Sequence, residues 1–200
     1  MPSLTIPPEV SVMILPGTVF YPKVLLPLYI FEPRYRLMLQ KALEDSRVFA
    51  ISLASDLMKP HAIASIGIIR ACVDNPDGSS NLVLQGLTRV RLVEFTQDEP
   101  FPIAKIEILR SDNPNDTEID ALVNKTLEYV HLYKEKGIEM PEWMEEFLKN
   151  LSDRDTLVDM VAYGFVESVS EKQKILETLS LKERFQRLVH NLKKQADKDY

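Results

Sequence analysis

The sequence predicts an α+β protein in two parts: a β-rich pseudo-barrel with one inserted helix over residues 1–112, then an α-helical bundle over residues 113–200. Three observations predict it. Twelve of the thirteen prolines lie at or before Pro114. Up to that point β-branched residues gather in short apolar runs cut by Pro and Gly, the pattern of strands and turns, whereas the remainder is rich in Glu, Lys and Leu. The charge divides at the same place: residues 1–110 carry 11 basic and 11 acidic side chains and residues 111–200 carry 13 and 19, so the net charge of −6 sits in the second half.

In the first part, Val10–Leu15 and Leu25–Phe31 read as strands. Between them Pro16-Gly17 supplies a turn, and Pro22 has no N–H with which to continue a ladder. Glu32-Pro33 opens a helix, because proline suits the first helical position, and Tyr35, Met38, Leu39 and Ala42 follow on one face as far as about Asp45. Val48–Leu53 and Ile63–Val73 read as strands. Asn75-Pro76-Asp77-Gly78 is a tight turn leading into Leu82–Leu87, which makes a hairpin. Arg89–Phe95 alternates polar and apolar residues with period two, and Pro102–Arg110 repeats the signal. About six strands are too many to lie flat without an exposed edge, so the expectation is closure into a small pseudo-barrel with a packed interior and no buried ligand cavity.

The second part reads as helical throughout. Ile119, Leu122, Val123, Thr126, Val130 and Tyr133 mark one face of a helix that ends near Gly137, the residue type suited to a left-handed C-terminus. Pro141 starts a short helix with Trp143, Met144, Phe147 and Leu148. After Ser152, the residues Leu157, Val158, Met160, Val161, Ala162, Phe165, Val166 and Val169 surround most of a helix, which predicts a central, buried element on which both halves depend. Ser170-Glu171-Lys172-Gln173 and Ser180-Leu181-Lys182-Glu183 fit the capping box, and the last helix carries Phe185, Leu188, Val189 and Leu192 on one stripe.

Composition excludes several functions. With 45% hydrophobic and 27% charged side chains the 200 residues suit a globular chain. No run approaches the ~20 apolar residues of a membrane-spanning helix, and Met1-Pro2-Ser3-Leu4 lacks the features of a secretory signal, so the chain reads as cytoplasmic with no membrane partner. Cys72 is the single cysteine, which excludes an internal disulfide, and with His61, His131 and His190 it offers no zinc-ligand spacing. Six scattered glycines write no phosphate-binding loop, and no cofactor or metal is expected. A net negative charge argues against nucleic acid as the partner.

Among polar candidates, Glu32 with Arg36 at i+4 reads as a helix-stabilising pair with Arg34 beside it, polar recognition being the other reading, and Arg89 and Arg91 read as polar residues of a solvated sheet face, with contact to an acidic peptide or a phosphate as the other reading. Asp159, in an apolar helix, reads as a buried cap or ion-pair partner, since a buried carboxylate needs a partner. The three histidines support no catalytic triad, and Cys72 reads as buried and inert. Trp143, Met144 and Phe147 are open to two readings, packing on the bundle or lining a partner-binding patch.

Leu15-Pro16-Gly17-Thr18-Val19-Phe20-Tyr21-Pro22, followed by Leu25-Leu26-Pro27-Leu28-Tyr29-Ile30-Phe31-Glu32-Pro33-Arg34-Tyr35-Arg36, resembles the opening signature of the Lon protease N-terminal domain in its stand-alone form. Asp77-Gly78, then Leu82 to Gly86, Arg89 and Arg91, resemble its hairpin and Gly-x-x-Arg strand, while Leu157–Ala162, Glu171–Glu177 and Leu181–Phe185 resemble its helical half. Lys23 and Tyr29 stand where the pattern has glycine and histidine. The resemblance implies a PUA-like pseudo-barrel followed by a bundle, with the ATPase and Ser-Lys protease domains absent. It implies a non-catalytic module that binds unfolded or extended polypeptides, acting alone or beside a separate protease or chaperone; a PUA-like nucleic-acid-binding or regulatory protein is the alternative. The expected site is an apolar groove at the junction of the two halves, with Trp143, Met144 and Phe147 in its lining.

Overall fold

The computed structural model describes residues 5–55, 59–112 and 117–197. The chain divides into two compact units, Met1–Leu109 and Arg110–Tyr200. The first holds six strands, β1 (Glu9–Leu15), β2 (Leu25–Ile30), β3 (Val48–Leu53), β4 (Ile63–Asp74), β5 (Ser80–Gln97) and β6 (Ile103–Leu109), with helix α1 (Pro33–Glu44) between β2 and β3. The sheet runs β2-β5-β4-β3-β1-β6, and a further pairing of β5 with β6 closes its last five members into a ring. β1 and β3 are parallel and every other neighbour is antiparallel. The result is a pseudo-barrel with β2 attached as a flap, rather than a regular barrel.

The sequence reading splits residues 82–95 into two strands, whereas the structure has one. Gly67 pairs with Gly86 and Ile66 with Thr88, so Leu87 is an extra residue in the ladder. Such a bulge bends a strand without ending it. Before the bend Ser80–Gln85 holds β2, and beyond it Arg89–Gln97 holds β6.

Side-chain alternation then builds two cores. Val10, Val12, Val48, Ala50, Ala64, Ile66, Val90, Leu92 and Ala104, drawn from all five ring strands, form the small-residue filling of the ring. Residues of the other parity on the same strands, Met13, Phe49, Ile51 and Ile69, join Leu26, Ile30, Leu82 and Leu84 against α1. β3 is therefore buried on both faces. α1 contributes Tyr35, Met38, Leu39 and Ala42, the four residues its spacing marks.

The second unit holds α2 (Thr117–Glu135), α3 (Glu142–Lys149), α4 (Arg154–Phe165), α5 (Val169–Glu177) and α6 (Leu181–Ala196). Gly137 has φ +86°; its N–H bonds to the Lys134 carbonyl and that of Ile138 to the Tyr133 carbonyl, the Schellman arrangement that ends α2. α4 is the buried element expected, with Leu157, Val158, Asp159, Val161 and Ala162 nearly inaccessible. It ends at Phe165, so Val169 belongs to the next helix. The break is stabilised from α6, where Gln195 donates to the Phe165 carbonyl (2.8 Å) and accepts from the Glu167 N–H (3.1 Å).

The helix starts also differ from the capping boxes. Asp153 caps α4, accepting from the Asp155 N–H. Ser168, two residues before the expected Ser170, caps α5 by accepting from the Glu171 N–H. Ser180 precedes α6 without a side-chain cap, and the Leu181 N–H instead donates to Asp112 (2.6 Å). Asp159 is an ion-pair partner, as its setting requires: fully buried Arg184 lies 3.2 Å from it and 2.6 Å from Asp155.

Candidate functional site

Among the described residues β2 is an edge strand, paired with β5 alone. Its even-numbered residues Leu26 and Ile30 enter the α1 core, which turns Leu25, Pro27 and Tyr29 outward. Register aligns this outer face in rows: Pro27 with Val83 and Ala71, Tyr29 with Asn81 and Val73. Tyr29 is 53% exposed, Val73 64% and Phe31 59%, and the rings of Tyr29 and Phe31 stack at 5.7 Å. A shallow groove of about 430 Å³ runs over Pro27, Tyr29, Ala71, Val73 and Val83.

A solvated face of an antiparallel sheet ordinarily carries polar side chains. Here it carries aromatic and aliphatic ones over three strands, interrupted by Asn81 on β5, and an exposed, largely apolar surface of this kind is a candidate interaction site. Its chemistry is chiefly non-polar contact without charge; the Asn81 amide, which donates to Asn75 Oδ1 (3.3 Å), lies within it, and the Arg70–Gln85 hydrogen bond (2.5 Å) lies at its border. Pro27 adds a constraint, because an edge residue with no N–H gives an incoming strand one hydrogen bond fewer.

The sequence-derived candidates Trp143, Met144 and Phe147 lie on α3 of the helical unit. Leu148 and Glu145 are the buried residues of this helix, and Met144 is half-buried. Trp143 is 61% exposed and Phe147 42%, with their rings edge to face at 6.0 Å. The helix is anchored by charge: the Glu145 carboxylate accepts from Lys149 (2.5 Å) and Lys134 (3.0 Å) and lies 3.0 Å from His131 Nδ1.

Hydrogen bonds from Lys149 and then Lys134 hold the Glu145 carboxyl at about 2, below its ordinary 4.5, with His131 acting in the same direction and desolvation opposing it. A depressed folded-state value means the anchor is complete above pH ~4.5 and is lost as pH falls toward 2. Protection factors of the α3 amides, in which the intrinsic pH dependence of exchange is divided out, are expected to fall across that window in wild type. In Glu145→Gln they should be low already at neutral pH, and protection indifferent to both changes would refute the anchor.

Other polar candidates disperse. Glu32 pairs with Arg34 (2.9 Å), not Arg36, whose guanidinium lies over Gly78. Arg91 is exposed and pairs with Glu107 (3.1 Å), whereas Arg89 is buried, so the two do not form a solvated pair. Cys72 is half-buried rather than buried, and its thiol is pushed up, chiefly by burial. Among the described residues no group of three His, Cys, Asp or Glu side chains has the arrangement to hold a metal ion, and no helix is long and apolar enough to cross a membrane.

A family model described as the ATP-dependent protease La (LON) substrate-binding domain matches residues 9–194. The chain belongs to this family. Lon proteases of Dictyoglomus thermophilum and Syntrophus aciditrophicus are 27% and 28% identical to it, over 96% and 92% of the chain. The chain spans 25% of the length of each of these curated relatives. Among solved structures, the N-terminal domain of Mycobacterium avium complex Lon protease superposes with a TM-score of 0.77 at 17% identity, covering 92% of this chain and 98% of that one. A Lon N-terminal domain protein from Xanthomonas campestris superposes at 0.66 with 18% identity, covering 91% and 97%. The α+β fold is thus that of Lon N-terminal domains.

Within this Lon-family fold the sequence reading placed the site on α3 and passed over the β2 face. A signal for it was present. Leu25 to Phe31 is apolar at every position, so both faces of the strand are apolar, while Pro27 confines the strand to an edge. An edge strand with two apolar faces has one side in need of cover.

Proposed function

We propose that this chain is a non-catalytic module that binds unfolded or extended segments of other polypeptides, and that the outer face of β2, β5 and β4 is its principal binding surface. The rows Pro27–Val83–Ala71 and Tyr29–Asn81–Val73, apolar but for Asn81, carry the proposal. Unfolded chains share exposed apolar side chains and no common sequence, so an uncharged, largely apolar sheet face matches what they have in common. The family's substrate-binding description and the lack of a phosphate-binding loop in the sequence support the same reading, with the cytoplasm as the place of action.

Labelled, reduced casein titrated into wild type is expected to bind without being cut, and ATP to remain intact. Replacing two well-exposed residues, Tyr29→Ser and Val73→Ser, should weaken binding about tenfold or more, since each removes apolar area that the client would cover, while the melting temperature stays within a few degrees. Equal affinity in the folded double variant would remove the sheet face from the proposal, and turnover of casein abolished by a point change in this chain would overturn the non-catalytic assignment.

A further inference from the structure

α3 buries only part of its apolar arc. With about 100° between successive residues, Leu148 and Glu145 share the inward side, while Trp143 and Phe147 form one outward ridge. The same geometry puts Glu142 and Glu146 side by side along one edge of that ridge. Both carboxylates are exposed, and neither pairs with a cation among the described residues. The neighbouring lysines are engaged inward, Lys134 and Lys149 both turned onto Glu145, which the His131 ring also faces. The ridge therefore presents a pre-formed aromatic pair beside unneutralised negative charge.

We infer that this ridge docks a basic amphipathic segment of another polypeptide, its apolar stripe against Trp143 and Phe147 and its Lys or Arg side chains against Glu142 and Glu146. Aromatic anchors dominate interface energies because they cover a large area with few rotatable bonds, and this pair is already held edge to face. Charge at the rim selects the partner: a basic segment is steered toward the ridge, an acidic one of equal hydrophobicity is repelled, and an arginine gains the indole face as well. The residues of the ridge belong to the helical unit and those of the sheet face to the β unit, so either proposal stands without the other.

Trp143 is the only tryptophan in the chain and reports directly on the ridge. An 18-residue amphipathic helix of leucine and lysine, and its twin with glutamate for lysine, are titrated into the full chain while the indole emission is followed. The lysine peptide is expected to shift Trp143 emission to the blue and to bind about fivefold or more tighter than the glutamate twin, with the advantage shrinking as salt is raised. Glu142→Gln with Glu146→Gln should reduce lysine-peptide affinity about fivefold, whereas Glu167→Gln, an exposed carboxylate on the α4–α5 link, should leave it unchanged. Equal binding of the two peptides, an unmoved emission, or equal losses in the two variants would overturn the inference. A blue shift that grows with protein concentration before any peptide is added would also overturn it, by showing the ridge covered by a second copy.

Discussion

Gly86→Ala is expected to leave the β unit unable to reach its native packing, a loss of about 4 kcal/mol or more, at the extreme of what single substitutions do. A Cβ at this position would overlap the Tyr21 carbonyl oxygen and lie 2.9 Å from Pro22 Cα. The obstacle is backbone, and it is pinned: the Gly86 N–H donates to the Val24 carbonyl and the Lys23 N–H to the Gly86 carbonyl, both at 2.9 Å. Lys23 turns this segment with φ +64°, which is why a glycine suits the position in the family pattern. The same chemical change at Gly164, an exposed position of α4 with nothing within 4 Å of an added Cβ, should stabilise by about 0.5–1 kcal/mol. Denaturant titrations followed by far-ultraviolet circular dichroism compare the two variants. Similar midpoints for both would show that the Tyr21–Val24 segment yields easily and that the close approach is not needed.

Arg184→Ala is expected to cost about 3–5 kcal/mol, because it strands a buried carboxylate as well as removing a guanidinium. Arg184 donates through Nη1 to Asp155 and Asp159, through Nη2 to Ser111 (2.6 Å) and through Nε to the Thr178 carbonyl (3.0 Å). It thereby ties the segment entering the helical unit to α4 and to the turn before α6. Arg184→Lys keeps the charge but not the fork, and should recover less than half of the loss. Far-ultraviolet circular dichroism in guanidinium chloride reads the unfolding of this helical unit. A midpoint within about 1 kcal/mol of wild type for Arg184→Ala would mean that Asp159 is hydrated or re-paired, and that the arginine does not organise the unit.

What the sequence revealed was local periodicity, and it revealed that well. The four core residues of α1, the apolar surround of α4 and the need of Asp159 for a partner all follow from spacing and burial rules applied to short windows. The structure departs from the reading wherever the deciding partner is far along the chain. Asp112 replaces Ser180 at the start of α6, and Gln195 holds the break between α4 and α5, at separations no capping pattern includes. The union of two apparent strands into β5 depends on Gly86 meeting Gly67. At the candidate sites, the aromatic character of Trp143 and Phe147 was legible but their exposure was not. That exposure follows from Glu145, a carboxylate that reads as surface and is in fact the buried anchor of α3.

The ring also places a condition on the order of events at the ribosome. β1 lies near the N-terminus, and its Glu9, Val10 and Ser11 pair with Lys105, Ala104 and Ile103 of β6. During synthesis, at roughly 5–20 residues per second, every other strand of the β unit emerges before that partner does. For those seconds β1 has β3 along one side and nothing along the other, and Val10 and Val12 lack the lid that Ala104 later provides. The last seam of the ring is thus a matter of timing as well as energy: the nascent β unit carries an open strand of its own until β6 arrives.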